Sequence, residues 1–131
     1  MSKPVDVGSI KPGQYMIIDN EPCRVISFEK SKPGKHGSAK ARIVAVGLFD
    51  NVKRSIVSPV DARAEVPLID KRSGQVISVG SESFQLMDLE TYEVFETALP
   101  AEEELRSSLT VGAEVEYWKI MNRIKITRVK S

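Results

Sequence analysis

Residues 39–49 read Ala-Lys-Ala-Arg-Ile-Val-Ala-Val-Gly-Leu-Phe and give the longest strand signal in the chain. The run is rich in β-branched residues, which favour a pleated and partly buried surface. Asp50 and Asn51 follow it as a turn signal. A second apolar run at 23–28 precedes it. The pattern predicts two strands with a connecting segment between them.

The connecting segment carries a lysine and a histidine between two glycines: Lys32-Pro33-Gly34-Lys35-His36-Gly37-Ser38. Pro33-Gly34 fits the two central positions of a type II turn, which places Lys35 near the tip. Cations gather here without an acidic residue between positions 30 and 42: Lys30, Lys32, Lys35, Lys40 and Arg42. Either this is a plain surface connector or the tip is held out for contact or modification.

Short strands with turn signals fill the rest of the chain and predict an all-β protein. In residues 1–69 we expect an SH3-like barrel, with further strands at 14–19, 53–57 and 63–69. In residues 70–131 we expect an OB-fold barrel, with strands at 75–79, 83–88, 93–97, 113–121 and 123–129. One short helix is predicted at 100–109, started by Pro100 and ended by Gly112. The predicted linker is 67–71.

The net charge of +1 hides a difference between the two halves. Residues 1–69 hold 11 Lys and Arg against 7 Asp and Glu, whereas residues 70–131 hold 8 against 11. The first half is therefore basic and the second acidic, which indicates two modules with different faces. The hydrophobic fraction of 41% and charged fraction of 28% are typical of a folded soluble domain.

The chain carries no sign of export. Cys23 is the only cysteine, so no intrachain disulfide can form. No basic segment followed by an apolar core opens the sequence, and the longest apolar run, 43–49, is far shorter than the roughly 20 residues that span a bilayer. We expect a cytoplasmic protein without a membrane partner.

The motifs of catalysis are weak. One histidine and one cysteine cannot form a Cys/His zinc set, so no metal site is expected. A phosphate-binding Walker loop would need glycine where Glu29 stands. His36 on a glycine loop has no rigid frame for a catalytic triad. We therefore expect no enzymatic activity and no catalytic residue.

A basic run closes the chain: Lys119, Arg123, Lys125, Arg128 and Lys130. Alternation places Ile124 and Ile126 inward and Arg123 and Lys125 outward. These cations either form a solvated face or contact phosphates. Tyr117 and Trp118 offer rings for stacking, but a tryptophan in a strand more often belongs to the core.

The chain resembles the translation initiation factor 5A family in its archaeal form and, more distantly, bacterial elongation factor P. The resemblance covers nearly the whole chain, through Gly13-Gln14-Tyr15, the segment 31–42, the strand 41–49 and Gln85-Leu86-Met87-Asp88. It implies that Lys35 is the lysine converted to hypusine or deoxyhypusine, with Pro33, Gly34, His36 and Gly37 as its modification loop.

The same resemblance implies the partners. A deoxyhypusine synthase would transfer an aminobutyl group from spermidine to Lys35, and no other cofactor is expected. The protein would bind the ribosome near the E site as a monomer and contact rRNA and peptidyl-tRNA. It would promote peptide-bond formation at stalled sites such as proline runs. We expect Lys30, Lys32, Lys40 and Arg42 to hold RNA phosphates.

A second reading keeps the basic hairpin but not the modification. A general RNA-binding protein or RNA chaperone would use an unmodified Lys35 as one phosphate contact among several. The mass of Lys35 in native protein separates these two hypotheses.

Overall fold

The computed structural model describes residues 2–31 and 39–130, and the all-β prediction is confirmed there. These residues form eleven strands, one 3-10 turn and one short α-helix. The chain divides into two compact units, Met1–Leu68 and Ile69–Ser131. Each unit has its own hydrophobic core.

The first unit is a curled four-stranded antiparallel sheet with a two-stranded companion. Its strands are β1 (Ser2–Asp6), β2 (Tyr15–Ile18), β3 (Glu21–Ser31), β4 (Lys40–Gly47), β5 (Lys53–Pro59) and β6 (Arg63–Pro67). The sheet order is β2-β3-β4-β5, and β1 pairs with β6. The buried side chains of its core are apolar: Val7, Ile10, Met16, Ile18, Cys23, Val25, Ala41, Ile43 and Ala45.

Three strands of the first unit differ most clearly from the prediction. The strand predicted at 23–28 extends to Ser31, because β3 continues to pair with β4 beyond the apolar run. The strand predicted at 39–49 is the shorter β4, since residues 48–50 form a turn. Strand β1 was not predicted at all. Strand β1 pairs with β6, which lies about sixty residues later in the chain. A pairing between segments so far apart cannot be predicted from the local sequence.

The second unit is a five-stranded antiparallel sheet. Its elements are β7 (Ile69–Val79), β8 (Ser83–Asp88), β9 (Val94–Ala98), the helix α1 (Glu103–Ser108), β10 (Glu114–Ile120) and β11 (Arg123–Val129). The sheet order is β11-β10-β7-β8-β9. The buried apolar core is Val76, Phe84, Leu86, Leu109, Ala113, Val115, Tyr117 and Ile126.

Some of the predictions for the second unit are confirmed and others are not. The strand at 83–88 and the hairpin around Asn122 are confirmed, and Met121 and Asn122 both take positive φ in that turn. The predicted linker at 67–71 contains the boundary between the units, but it is longer than the structure allows, because β6 ends at Pro67 and β7 already begins at Ile69. The helix is shorter than predicted: it begins at Glu103 and not at Pro100, and it ends at Ser108 and not at Leu109.

Candidate nucleic-acid interface

The end of the β3–β4 hairpin carries three of the predicted cations. In the strand register Lys40 lies opposite Ser31, and Lys30 lies opposite Ala41. Ser31, the last residue of β3, donates a hydrogen bond from its Oγ to the Lys40 carbonyl at 3.3 Å. The hairpin therefore presents its cations at the point where the chain enters the segment 32–38.

The strand register divides these cations between two faces. Because side chains alternate along a strand, Lys40 and Arg42 share one face, while Lys30 shares the other with the fully buried Ala41. Lys30 is itself exposed, so it lies at the outer end of the core-side face. Arg42 lies opposite Glu29, an acidic residue one position outside the basic stretch of the sequence. The structure thus brings Lys40 and Arg42 together and separates Lys30 from them.

The remaining predicted site residues lie outside the described residues: Lys32, Pro33, Gly34, Lys35, His36 and Gly37. Their assigned roles remain predictions from the sequence.

The other end of this hairpin is held by an ion pair and a tight turn. Arg54 Nη2 lies 2.8 Å from Asp50 Oδ2, and Asp50 Oδ1 accepts the Val52 N–H at 3.0 Å. The hydrogen bond from Arg54 lowers the pKa of Asp50 to about 2, and the bond from Val52 acts in the same direction. Asp50 is therefore ionised at neutral pH, and it ties the β4–β5 turn to β5.

Cys23 lies in the core beside this turn and is fully buried. Burial raises the pKa of its thiol, and Sγ donates to the Glu21 carbonyl at 3.3 Å. A buried, protonated thiol is a packing group, as the sequence suggested, and not a nucleophile.

The second unit contains a buried ionic cluster that the sequence analysis missed. Asp88 is 2% exposed and accepts hydrogen bonds from Arg72 Nε at 2.5 Å, Arg72 Nη2 at 3.2 Å and the Tyr117 hydroxyl. It also accepts the N–H groups of Glu90 and Thr91 at 2.8 and 2.9 Å. These five donors all point at the carboxylate, so its charge is satisfied in the interior.

This cluster shifts the pKa values of its members in opposite directions. The Arg72 hydrogen bonds hold the pKa of Asp88 far below its usual range, and the Tyr117 bond adds to the effect. Burial raises the pKa of Tyr117, and its bond to Asp88 raises it further. The carboxylate stays ionised and the phenol stays protonated across the neutral range, so the cluster acts as a fixed brace.

The two aromatic residues of β10 have separate positions. Tyr117 lies in the core at 1% exposure. Trp118, the next residue, is only partly buried and does not belong to that core. The interpretation that a strand tryptophan is a core residue was wrong here, because alternation along β10 turns Trp118 to the outer face when Tyr117 points inward. Ile124 and Ile126 do pack on the core, as predicted.

Residues 2–31 and 39–130 contain neither a three-ligand metal cluster nor a membrane-spanning helix. Within these ranges no group of three or more His, Cys, Asp and Glu is placed to hold a metal ion. No helix among them is both long and apolar enough to cross a membrane.

The fold defines a two-barrel β protein, with an SH3-like first unit and an OB-fold second unit. Residues 1–62 match the family model described as translation initiation factor 5A-like, N-terminal. Residues 68–130 match the model described as eukaryotic elongation factor 5A hypusine, DNA-binding OB fold.

Curated relatives and a solved structure agree with both models. The chain is 54% identical over 130 residues to translation initiation factor 5A of Thermofilum pendens, covering 99% of this chain and 98% of the relative. It is 55% identical over 128 residues to that of Pyrococcus furiosus, covering 96% and 93%. The solved factor from Methanococcus jannaschii superposes with a TM-score of 0.87 at 48% identity, covering 98% and 94%. The chain belongs to the translation initiation factor 5A family and is a translation factor.

Proposed function

We propose that this protein binds the ribosome near the E site and uses a hypusine- or deoxyhypusine-modified Lys35 to orient peptidyl-tRNA. It would thereby promote peptide-bond formation at stalled sites such as proline runs. The observation that carries the proposal is family membership over nearly the whole chain, with the segment 32–40 inside the matched residues 1–62. We place this activity in the cytoplasm, with the protein acting as a monomer and not as an enzyme.

Charge at the hairpin end supports contact with RNA. Lys40 and Arg42 point to one side of the β3–β4 pair and Lys30 to the other, so cations flank the entry to the segment from two directions. Phosphate contacts of this kind fix the position and register of a protein on RNA without reading its sequence. Together with Lys32, these residues would anchor the tip.

The chemistry at the tip follows from the modification. A deoxyhypusine synthase would transfer an aminobutyl group from spermidine to the nitrogen of Lys35. The carbon–nitrogen bond of spermidine would break, and the rest of the molecule would leave as 1,3-diaminopropane. The product is a longer flexible chain with two cationic nitrogens. Such a group can donate hydrogen bonds to the backbone at the end of a peptidyl-tRNA. Bond formation would remain the ribosome's own reaction, and the factor would contribute orientation, which lowers the entropic part of the barrier.

Peptide mapping of protein purified from its native host tests the modification. We expect the added mass on Lys35 and on neither Lys32 nor Lys40. Recombinant protein from a host without the synthase is the matched control and should lack the adduct. A native tip peptide carrying only unmodified Lys35 would contradict the proposal.

A salt titration tests the anchoring residues. Replacing Lys30, Lys32, Lys40 and Arg42 with alanine should weaken RNA or ribosome binding. The slope of log affinity against log salt concentration should fall by about 0.7–0.9 for each lost phosphate contact. An unchanged slope would remove these residues from the interface. Lys53→Ala, an exposed lysine on β5, is the control for a change of net charge alone.

A further inference from the structure

The outer face of the second unit's sheet carries an aromatic residue between two lysines. Trp118 on β10 lies opposite Lys71 on β7 and opposite Lys125 on β11. Directly opposed residues in neighbouring antiparallel strands point to the same side of a sheet. These three side chains therefore form one row across three strands, on the side away from the core that holds Tyr117.

Contacts within this row fix its geometry. Lys71 Nζ lies 4.9 Å from the centroid of the Trp118 ring, a cation–π arrangement. Arg128 Nε lies 3.7 Å from Glu116 Oε2, and Glu116 also accepts the Thr127 hydroxyl at 2.9 Å, so this acidic neighbour is already engaged. Lys71 is exposed, whereas Trp118 and Lys125 are half-buried, so the row presents part of a ring and two ammonium groups on one face of the sheet.

Charge on this sheet changes sign from one edge to the other. Strands β8 and β9 contain no Lys or Arg, and Glu90, Glu93 and Glu96 lie on or beside them. Strand β11 contributes Arg123, Lys125 and Arg128. OB folds generally bind oligonucleotides on the face of their second and third strands, which here are β8 and β9. In this chain that face would repel a polyanion.

We propose that single-stranded RNA binds the basic–aromatic face, defined as Lys71, Trp118 and Lys125, and does not bind the usual face of the OB fold. An unstacked base would lie on the exposed part of the Trp118 ring, and the two lysines would contact the flanking phosphates. This is a second RNA contact, in a different unit from Lys35, and it needs no modified residue.

Single-stranded RNA fits the face better than other polyanions do. An aromatic ring flanked by cations pairs with a base flanked by phosphates, and stacking tolerates any base. Bases in an intact duplex are already stacked on their neighbours, so a duplex has no unstacked base that could stack on the Trp118 ring. An acidic peptide would satisfy the lysines but would leave Trp118 without a stacking partner.

Trp118 is the chain's only tryptophan, so its fluorescence reports on this face alone. The protein should be unmodified and should carry alanine at Lys30, Lys32, Lys35, Lys40 and Arg42, which removes all five cations of the hairpin. Titration with a ten-nucleotide uridine oligomer should quench the emission in a saturable way. Inorganic polyphosphate should bind more weakly and leave the emission unchanged.

Substitutions locate the site. Trp118→Leu should weaken binding of a labelled oligomer about 5- to 150-fold, the equivalent of one lost base stack, while Trp118→Phe should retain most of it. Lys71→Ala and Lys125→Ala should each lower the salt slope by about 0.7. Lys119→Ala is the matched control. Lys119 is the residue after Trp118 on β10, but its side chain lies on the other face of the sheet, where Asp70 of β7 is opposite it in the strand register.

The proposal is overturned if saturating RNA leaves Trp118 emission unchanged, or if Lys119→Ala weakens binding as much as Lys125→Ala. Equal affinity for polyphosphate or polyglutamate would likewise reduce the face to a general cationic patch. Loss of binding in Tyr92→Leu, an exposed ring in the β8–β9 turn, with Trp118→Leu unaffected, would assign RNA to the usual face. Since the experiment involves neither modification nor ribosomes, its failure leaves the role proposed for Lys35 untouched.

Discussion

The two units close their sheets with the same turn but fill their interiors differently. Gly13 and Gly112 both take a φ of +90°, and each donates its N–H at 2.8 Å to the carbonyl of a buried valine, Val25 or Val76. In both units the carbonyl of the residue after the glycine accepts the N–H of that same valine. The strand carrying each valine then shifts register by one residue. Two stretches of unlike sequence therefore solve the same problem of sheet curvature with the same backbone geometry.

The two hydrophobic cores differ in whether they contain a buried charge. Among the described residues Asp88 is the one buried charged side chain, and it belongs to the second unit. In the described part of the first unit the shortest ion pair, Arg54 with Asp50, lies partly exposed at a turn. The first unit is therefore held mainly by apolar packing, whereas the second depends also on a buried charge.

This difference suits the roles proposed for the two units. An apolar core leaves the cations of the first unit at the end of one hairpin, around the segment that holds Lys35. In the second unit, the brace of Asp88 and Arg72 joins β7 to β8, and Tyr117 adds β10. The outer faces of β7 and β10 can then carry Lys71 and Trp118 in fixed register.

The largest effect that the comparison predicts is for Asp88→Ala. The substitution leaves the Arg72 guanidinium without its buried partner and strips the Tyr117 hydroxyl of its acceptor. We expect a loss of about 3–5 kcal/mol in the free energy of unfolding of the second unit. Urea denaturation followed by Trp118 emission measures this unit directly. Asp50→Ala removes the exposed pair of the first unit and should shift the Trp118 transition far less. Equal shifts would break the distinction between the cores.

Lowering the pH should reveal the same difference between the two cores, with a smaller change in the free energy of unfolding. Because the pKa of Asp88 is lowered on folding, its charge stabilises the folded state above the unfolded value of about 3.9. That contribution is lost as pH falls toward the folded pKa. The stability gap between wild type and Asp88→Asn should therefore be constant from about pH 7 to 5 and narrow below that. A gap independent of pH down to about pH 3 would show that the charge is not what stabilises this core.

The smallest predicted effect concerns the glycine turn that both units contain. A Cβ added at Gly13 or Gly112 would have no atom within 4 Å, so alanine there costs only backbone strain at positive φ. We expect Gly13→Ala and Gly112→Ala to destabilise their units by about 1–2 kcal/mol each. Amide hydrogen exchange of Val25 and Val76 measures the two turns separately. Markedly unequal losses would mean that the two turns are not equivalent.

Local patterns predicted much of the fold. The strand at 83–88 and the hairpin around Asn122 follow from alternation and a turn signal, and both are confirmed. Strand β7 was truncated in the prediction, because its first residues include Asp70, Lys71 and Arg72. Three consecutive charged residues are typical of a linker. In the folded protein, however, Arg72 pairs with the carboxylate of Asp88, which becomes buried only on folding.

The site was predictable in part. Alternation showed that Lys125 points outward, yet the residues opposite it come from the sheet order, which local sequence does not contain. The same limit hid the separation of Lys30 from Lys40 and Arg42. The assignment of Lys35 came from resemblance to a family and remains a prediction.

Lys35→Arg tests the central claim most directly, in translation of a reporter with consecutive prolines. Arginine keeps the charge and binds phosphate at least as well through its planar guanidinium, but it cannot accept the aminobutyl group. Modified wild type, unmodified wild type and Lys35→Arg should be compared at equal ribosome occupancy. We predict that only the modified protein relieves the stall, although all three bind. Equal stimulation by the arginine variant would contradict the modification hypothesis and favour a general RNA-binding role.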